Sequence, residues 1–188
     1  MEPPLEHLLN SKFIRIMKKI NTIIYTALTL FVVAAFTSCQ KDEKIGGTKV
    51  QSLAGEFWVK LDGGKGDFGD SYYTVFTYNT ASNRADSLWL DDGLDASTGV
   101  PFWQIKGRLH ADVPNLTFSG KDVANQDYES TFTVRNAKII PKAATAPGTK
   151  TKTDSIYFEI SFSDDADPSV FHKVGGYART RFDADDHY

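Results

Sequence analysis

The residues able to do chemistry are few and scattered. Outside the amino-terminal segment the histidines are His110, His172 and His187. The first two fall in stretches that read as strands and the third is one residue from the end, so each reads as a packed or solvated side chain. No Gly-x-Ser-x-Gly elbow offers an activated serine, and no His-Glu-x-x-His offers zinc ligands, so no catalytic residue and no metal site is assigned. Asp91-Asp92 with Asp95, and Asp164-Asp165 with Asp167, place carboxylates together, as a general acid and base or a weak calcium site would need. Lacking the twelve-residue spacing of an EF-hand, they read as turns, where Asp accepts from its own backbone. Gly64-Lys65-Gly66-Asp67-Phe68-Gly69 satisfies Gly-x-Gly-x-x-Gly, but a dinucleotide loop must open a helix. The following Ser71–Tyr78 reads as a strand, so the loop is a hairpin connection and no cofactor is implied.

One cysteine, Cys39, occurs among 188 residues, which excludes an internal disulfide and any Cys-rich metal or redox motif. Lys18-Lys19 precedes Ile20–Phe36, an uncharged run of 17 residues. A basic start followed by an apolar run reads as a secretory signal, since a membrane span needs about 20 apolar residues. Glu2 and Glu6 sit where such a signal should be basic, so Met17 reads as the start and residues 1–38 as a signal region. Ser38-Cys39 resembles the lipobox of bacterial lipoproteins, which implies lipidation of Cys39 and a membrane anchor. Residues 39–52 read as a polar tether, and Gln40-Lys41-Asp42-Glu43 resembles the signal that sends Bacteroidetes-type lipoproteins to the outer face of the outer membrane.

With a net charge of −3 and its basic residues dispersed, the chain lacks the footprint of a nucleic-acid binder. Without residues 1–38, which hold 4 of 21 basic and 2 of 24 acidic residues, the net charge is −5.

The elements that would position any site are strands. Candidates run over 54–61, 71–79, 86–91, 101–110, 115–119, 130–140, 154–163 and 170–182, rich in aromatic and β-branched residues. Ile156, Phe158, Ile160 and Phe162 alternate with Tyr157, Glu159 and Ser161, the period of a strand with one buried face. Turn residues separate the candidates, with a loop expected over Pro141–Thr153, and no amphipathic helix of ten residues fits. Residues 53–188 therefore read as one all-β domain, an eight-stranded antiparallel up-and-down barrel or a β-sandwich. Trp58, Trp89, Trp103, Phe102, Phe118, Phe132, Tyr157, Phe158 and Phe162 would either line a cavity for a small apolar ligand or fill the interior.

The segments Ala54-Gly55-Glu56-Phe57-Trp58-Val59, Thr77-Tyr78-Asn79-Thr80-Ala81, Leu88-Trp89-Leu90-Asp91-Asp92, Phe102-Trp103, Asn115-Leu116-Thr117-Phe118-Ser119 and Phe162-Ser163-Asp164-Asp165 resemble the Bacteroidetes lipoprotein family called lipid-binding putative hydrolase. The resemblance implies a lipocalin-like barrel, a lipid ligand, and Arg179 or Arg181 late in the barrel covering Trp58 of the first strand. Gly55 and Trp58 are three apart, so they belong to opposite strand faces. Asp86-Ser87-Leu88 and Asp154-Ser155-Ile156 resemble the sequon of Bacteroidetes O-glycosylation, which implies Ser87 and Ser155 as acceptors.

Overall fold

The computed structural model describes residues 15–26, 46–65, 69–93 and 101–187. The chain divides into two compact units, Met1–Gly46 and Gly47–Tyr188. In the first, residues 15–26 are an exposed helix, in which the Thr22 hydroxyl donates to the Lys18 carbonyl at 2.9 Å. Among the described residues no helix is long and apolar enough to cross a membrane. Cys39 lies outside the described residues.

The second unit is all β. Eight strands follow in order: β1 (Gly55–Leu61), β2 (Tyr73–Asn79), β3 (Ser87–Asp91), β4 (Lys106–Asp112), β5 (Thr117–Ala124), β6 (Thr131–Thr145), β7 (Lys152–Phe162) and β8 (His172–Ala178). Each pairs antiparallel with its neighbour, and β1 pairs with β8 through Phe57 to Ala178 and Leu61 to Val174, closing an up-and-down barrel. That closure decides between barrel and sandwich, and leaves no unpaired sheet edge.

Alternation selects the interior. Phe57, Val59 and Leu61 of β1, Leu88 and Leu90 of β3, Leu109 of β4, Phe132 and Val134 of β6, Ile156, Phe158 and Ile160 of β7 and Val174 of β8 form one buried cluster. Packing is close where β4 and β6 begin: a Cβ added to Gly107 would stand 2.3 Å from the Phe132 ring and 2.8 Å from Val123.

Four segments depart from the expected pattern, among them residues 120–124, which extend β5, and residues 179–182, which lie beyond the end of β8. Pro141–Thr145 is strand and not loop, because β6 continues to Thr145 and pairs there with Lys152. Register shifts after Arg135 and Ile140 let it bend. Asn136 and Lys142 take positive φ at these places, as bulged positions do. Residues 101–105 are not strand, since β4 begins at Lys106.

Strand direction sorts the connections onto two ends. One end carries the β2–β3, β4–β5 and β6–β7 turns, the carboxyl-terminal segment, and the 3₁₀ turn Gln51–Leu53. Val50 and Leu53 are fully buried there, and the Thr77 hydroxyl donates to the Leu53 carbonyl at 2.5 Å. Barrel packing thus begins at Val50, inside the stretch read as tether. The opposite end, the mouth, carries the β1–β2, β3–β4, β5–β6 and β7–β8 connections.

Candidate functional site

The mouth is organised by a carboxylate. After β3 the chain leaves the barrel at Asp92, returns along residues 101–105 and enters β4. Asp92 is 3% exposed, and its carboxylate accepts from the backbone N–H of Trp103 at 2.5 Å, Gln104 at 3.0 Å and Ile105 at 3.1 Å. The Thr74 hydroxyl donates to its carbonyl at 3.2 Å. Burial pushes the Asp92 carboxyl up to about 6, against the pull of the three N–H donors, with the Asp91 charge adding to the rise. A carboxylate that collects donors from three consecutive residues fixes their backbone, and here that backbone presents Phe102 and Trp103.

These two rings continue the core outward. Tyr73 and Phe102 stand 4.0 Å apart between centroids, Phe102 and Trp103 5.3 Å, Trp103 and Phe162 5.2 Å, and Phe162 and Phe132 6.4 Å. The rings descend from rim to interior with tilted planes, the geometry aromatic pairs favour. The β5–β6 connection is tied to the same segment, the Asn125 side-chain amide donating to the Gln104 carbonyl at 2.9 Å.

On the other side of the mouth stands His172, the first residue of β8. Its Nδ1 is 3.2 Å from Asp62 Oδ2 and its Nε2 is 3.8 Å from Asp165 Oδ2. Asp62 is held in turn, accepting at its other oxygen from the Lys173 N–H at 2.8 Å. The His172 ring lies 6.2 Å from Trp103. Between the two sides is a cavity of about 370 Å³ lined by Phe102, Trp103, Gln104, Tyr128, Ser130, Phe162, Asp164, Asp165 and His172. Its volume falls near the lower end of ligand pockets, which run from roughly 300 Å³ upward. A more open depression of about 880 Å³ beside it is lined by Ser163 and residues 125–131; apart from Tyr128 it offers polar and acidic side chains.

The expected cavity-lining residues separate. Trp103 and Phe162 line the mouth. Phe158, fully buried, lies in the barrel core with Phe118 and Phe132. Trp89, between the buried Leu88 and Leu90, is on the outer face in a row with Tyr78 and Arg108, as is Tyr157, between Ile156 and Phe158. Neither reaches the interior, because a strand sends consecutive side chains to opposite faces.

Trp58 is buried, yet on the outer face, in a second cluster with Tyr177 and Ala146. The carboxyl-terminal segment returns over it. The Trp58 indole N–H donates to Asp186 at 3.1 Å, and Arg179 donates to Asp186 at 2.7 and 2.5 Å and to Glu56 at 2.8 Å. The Arg179 guanidinium stands 5.9 Å from the Trp58 ring centre. The arginine-over-tryptophan contact implied by resemblance to lipocalins therefore exists with Arg179, outside the barrel, whereas Arg181 is exposed. Below it Asp185 accepts from the N–H of Gly148 and Thr149 at 2.8 and 2.7 Å, and His187 stacks on Tyr72 with centroids 3.8 Å apart.

The remaining acidic clusters are turns: Asp165 accepts from the Phe162 N–H at 3.2 Å, Asp167 from the Ser169 N–H at 3.0 Å, and Asp95 lies outside the described residues. Among the described residues no three His, Cys, Asp or Glu are grouped to hold a metal ion. Ser87 and Ser155 are half-buried in strands, the Ser155 hydroxyl donating to the Gly176 carbonyl at 3.0 Å. The sequence reads Asp92 as a turn residue and His172 as a packed or solvated histidine, and gives no local sign of the Asp62–His172 pairing. Their one signal is position, since all three lie at strand ends that antiparallel order brings to the same mouth.

No curated protein matches the chain. A family model described as "Lipid-binding putative hydrolase" matches residues 42–183, a span that takes in all eight strands, and the chain belongs to that family.

Proposed function

We propose that this protein is a lipid-anchored surface lipoprotein of the outer membrane whose barrel mouth takes a small apolar ligand such as a lipid. The observation that carries the reading is the row of rings from Tyr73 through Phe102 and Trp103 to Phe162, apolar surface open to a cavity at one end. The opposite end is closed by Val50 and Leu53. Close packing around Gly107 and Phe132 keeps the ligand at the mouth. A neutral apolar fluorophore, 1-N-phenylnaphthylamine, should bind at one saturable site with energy transfer from tryptophan. Trp103→Ala should weaken it about tenfold, as loss of an aromatic anchor does. Equal binding by the variant defeats the assignment.

The anchor rests on the apolar run before Cys39. Acyl chains contribute about 0.8 kcal/mol per buried methylene, so more than one holds a protein stably at a bilayer. Cys39→Ala should abolish labelling by a fatty-acid precursor and release the protein from membranes; continued labelling in the membrane fraction contradicts lipidation.

A second reading is hydrolysis, favoured by His172 oriented by Asp62 at 3.2 Å beside the cavity. That pair would supply a base and its orienting carboxylate. Ester turnover lost in His172→Ala supports it, and turnover that survives removes it.

A further inference from the structure

We infer that the mouth selects a cationic head group, an amine or quaternary ammonium carrying a short apolar stem; this rests on the proposed binding of an apolar ligand at the same cavity. Two independent features of the cavity agree. The first is aromatic. Trp103 meets Phe102 at 51° and Phe162 at 57°, so ring planes of different orientation bound one space. Ring faces carry negative potential and attract cations, tryptophan most strongly.

The second feature is the sign of the surrounding charge. Asp164 and Asp165 line the cavity, whereas no Lys or Arg does among the described residues. Three basic residues towards this end lie on the outer face near carboxylates: Lys106 is 3.3 Å from Asp91 and Arg135 2.7 Å from Glu159, and Lys173 is in register with Glu159. An anionic head would meet the two carboxylates, and the histidine of the lining, His172, already stands 3.8 Å from Asp165 and 3.2 Å from Asp62.

The volume agrees with a head group and stem. A cavity of about 370 Å³ floored by the 8%-exposed Phe162 does not admit a long chain without moving the core.

The test is calorimetric titration of the full chain with three probes of similar alkyl stem and different head: hexyltrimethylammonium, hexanol and hexanoate. The ammonium should bind about tenfold more tightly than hexanol, and hexanoate more weakly than either. In the double variant Asp164→Asn/Asp165→Asn the ammonium preference over hexanol should vanish, while an unchanged near-ultraviolet circular dichroism spectrum reports an intact mouth. Equal binding of ammonium and alcohol by the unmodified protein, or preference for the carboxylate, overturns this inference and leaves the apolar-ligand reading standing. A preference that survives the double variant overturns the role of these two carboxylates. Failure of all three probes to bind overturns both readings together.

Discussion

Arg179→Ala should destabilise the barrel by about 3 kcal/mol, the low end for breaking a buried ion pair by removing one partner. Arg179, the residue after β8, joins the first strand and the returning carboxyl-terminal segment to the last strand through charge: it donates to Glu56 on β1 and twice to Asp186. The Asp186 carboxylate is 2% exposed, so removing the guanidinium takes both of these charged donations from a buried carboxylate. The cost of that arrangement exceeds the median of about 0 to 1 kcal/mol for a surface pair because water cannot replace the missing partner. Urea denaturation should show the loss, and the fluorescence of Trp58 should shift to the red as the segment lifts. Arg179→Lys restores charge but not the forked geometry that reaches two carboxylates, so it should recover only part of the stability. A loss below about 1 kcal/mol, with no change in emission, refutes the clasp.

The second large effect is a pH dependence. The Asp92 carboxyl is pushed from 3.8 to about 6, so between about pH 4 and 6 the folded protein holds a proton that the unfolded chain has released. Stability from this group is therefore complete below about pH 4 and declines as pH rises through 6, by about 3 kcal/mol in all. Burial of charge is the cause, and the three N–H donors offset only part of it. His187 acts in the opposite sense: burial and the Lys60 charge lower its pKa from 6.5, so its contribution is present above pH 6.5 and is lost as pH falls. Asp86, held at about 2 by Arg84, and Asp185, held at about 2 against burial by Thr149 and Thr180, lose their contributions only below about pH 4. Comparison of the protein with Asp92→Asn cancels all three. The difference in unfolding free energy should grow in favour of the unmodified protein by about 3 kcal/mol from pH 7 to pH 4. Parallel stability curves for the two proteins exclude an elevated Asp92. Because Asp92 holds residues 103–105, the Asn variant should also perturb probe binding at Trp103.

Much of the strand order was legible because alternation is local. Ile156, Phe158, Ile160 and Phe162 identify β7 and its inner face without reference to any partner. Leu88 and Leu90 likewise make Trp89 an outward residue, yet reading aromatics by type alone places it inside. The segment Phe57-Trp58-Val59 carries no alternation at all, since all three are buried. A strand covered on both faces reads as a continuous apolar run, and the covering element, residues 179–187, lies more than a hundred positions away. The stretch 141–145 reads as loop from its Pro, Ala and Thr content, but β-structure there is imposed by pairing with β7, and two bulges absorb the unfavourable residues.

Residue types and their spacing are enough to mark eight strand-like segments, their punctuation by turns, an acidic β domain after an apolar amino-terminal run, and one cysteine in the lipobox-like position. These are properties of residues and near neighbours, where a period of two or a Gly-Asp pair acts over a few positions. Folding adds that β1 meets β8, that Trp58 packs outside under Arg179, and that Asp62, Asp92, Phe162, Asp165 and His172 share one mouth. Each is a contact between chain segments far apart in sequence, selected by which surfaces are left to bury once the strands have formed. No local pattern encodes that choice.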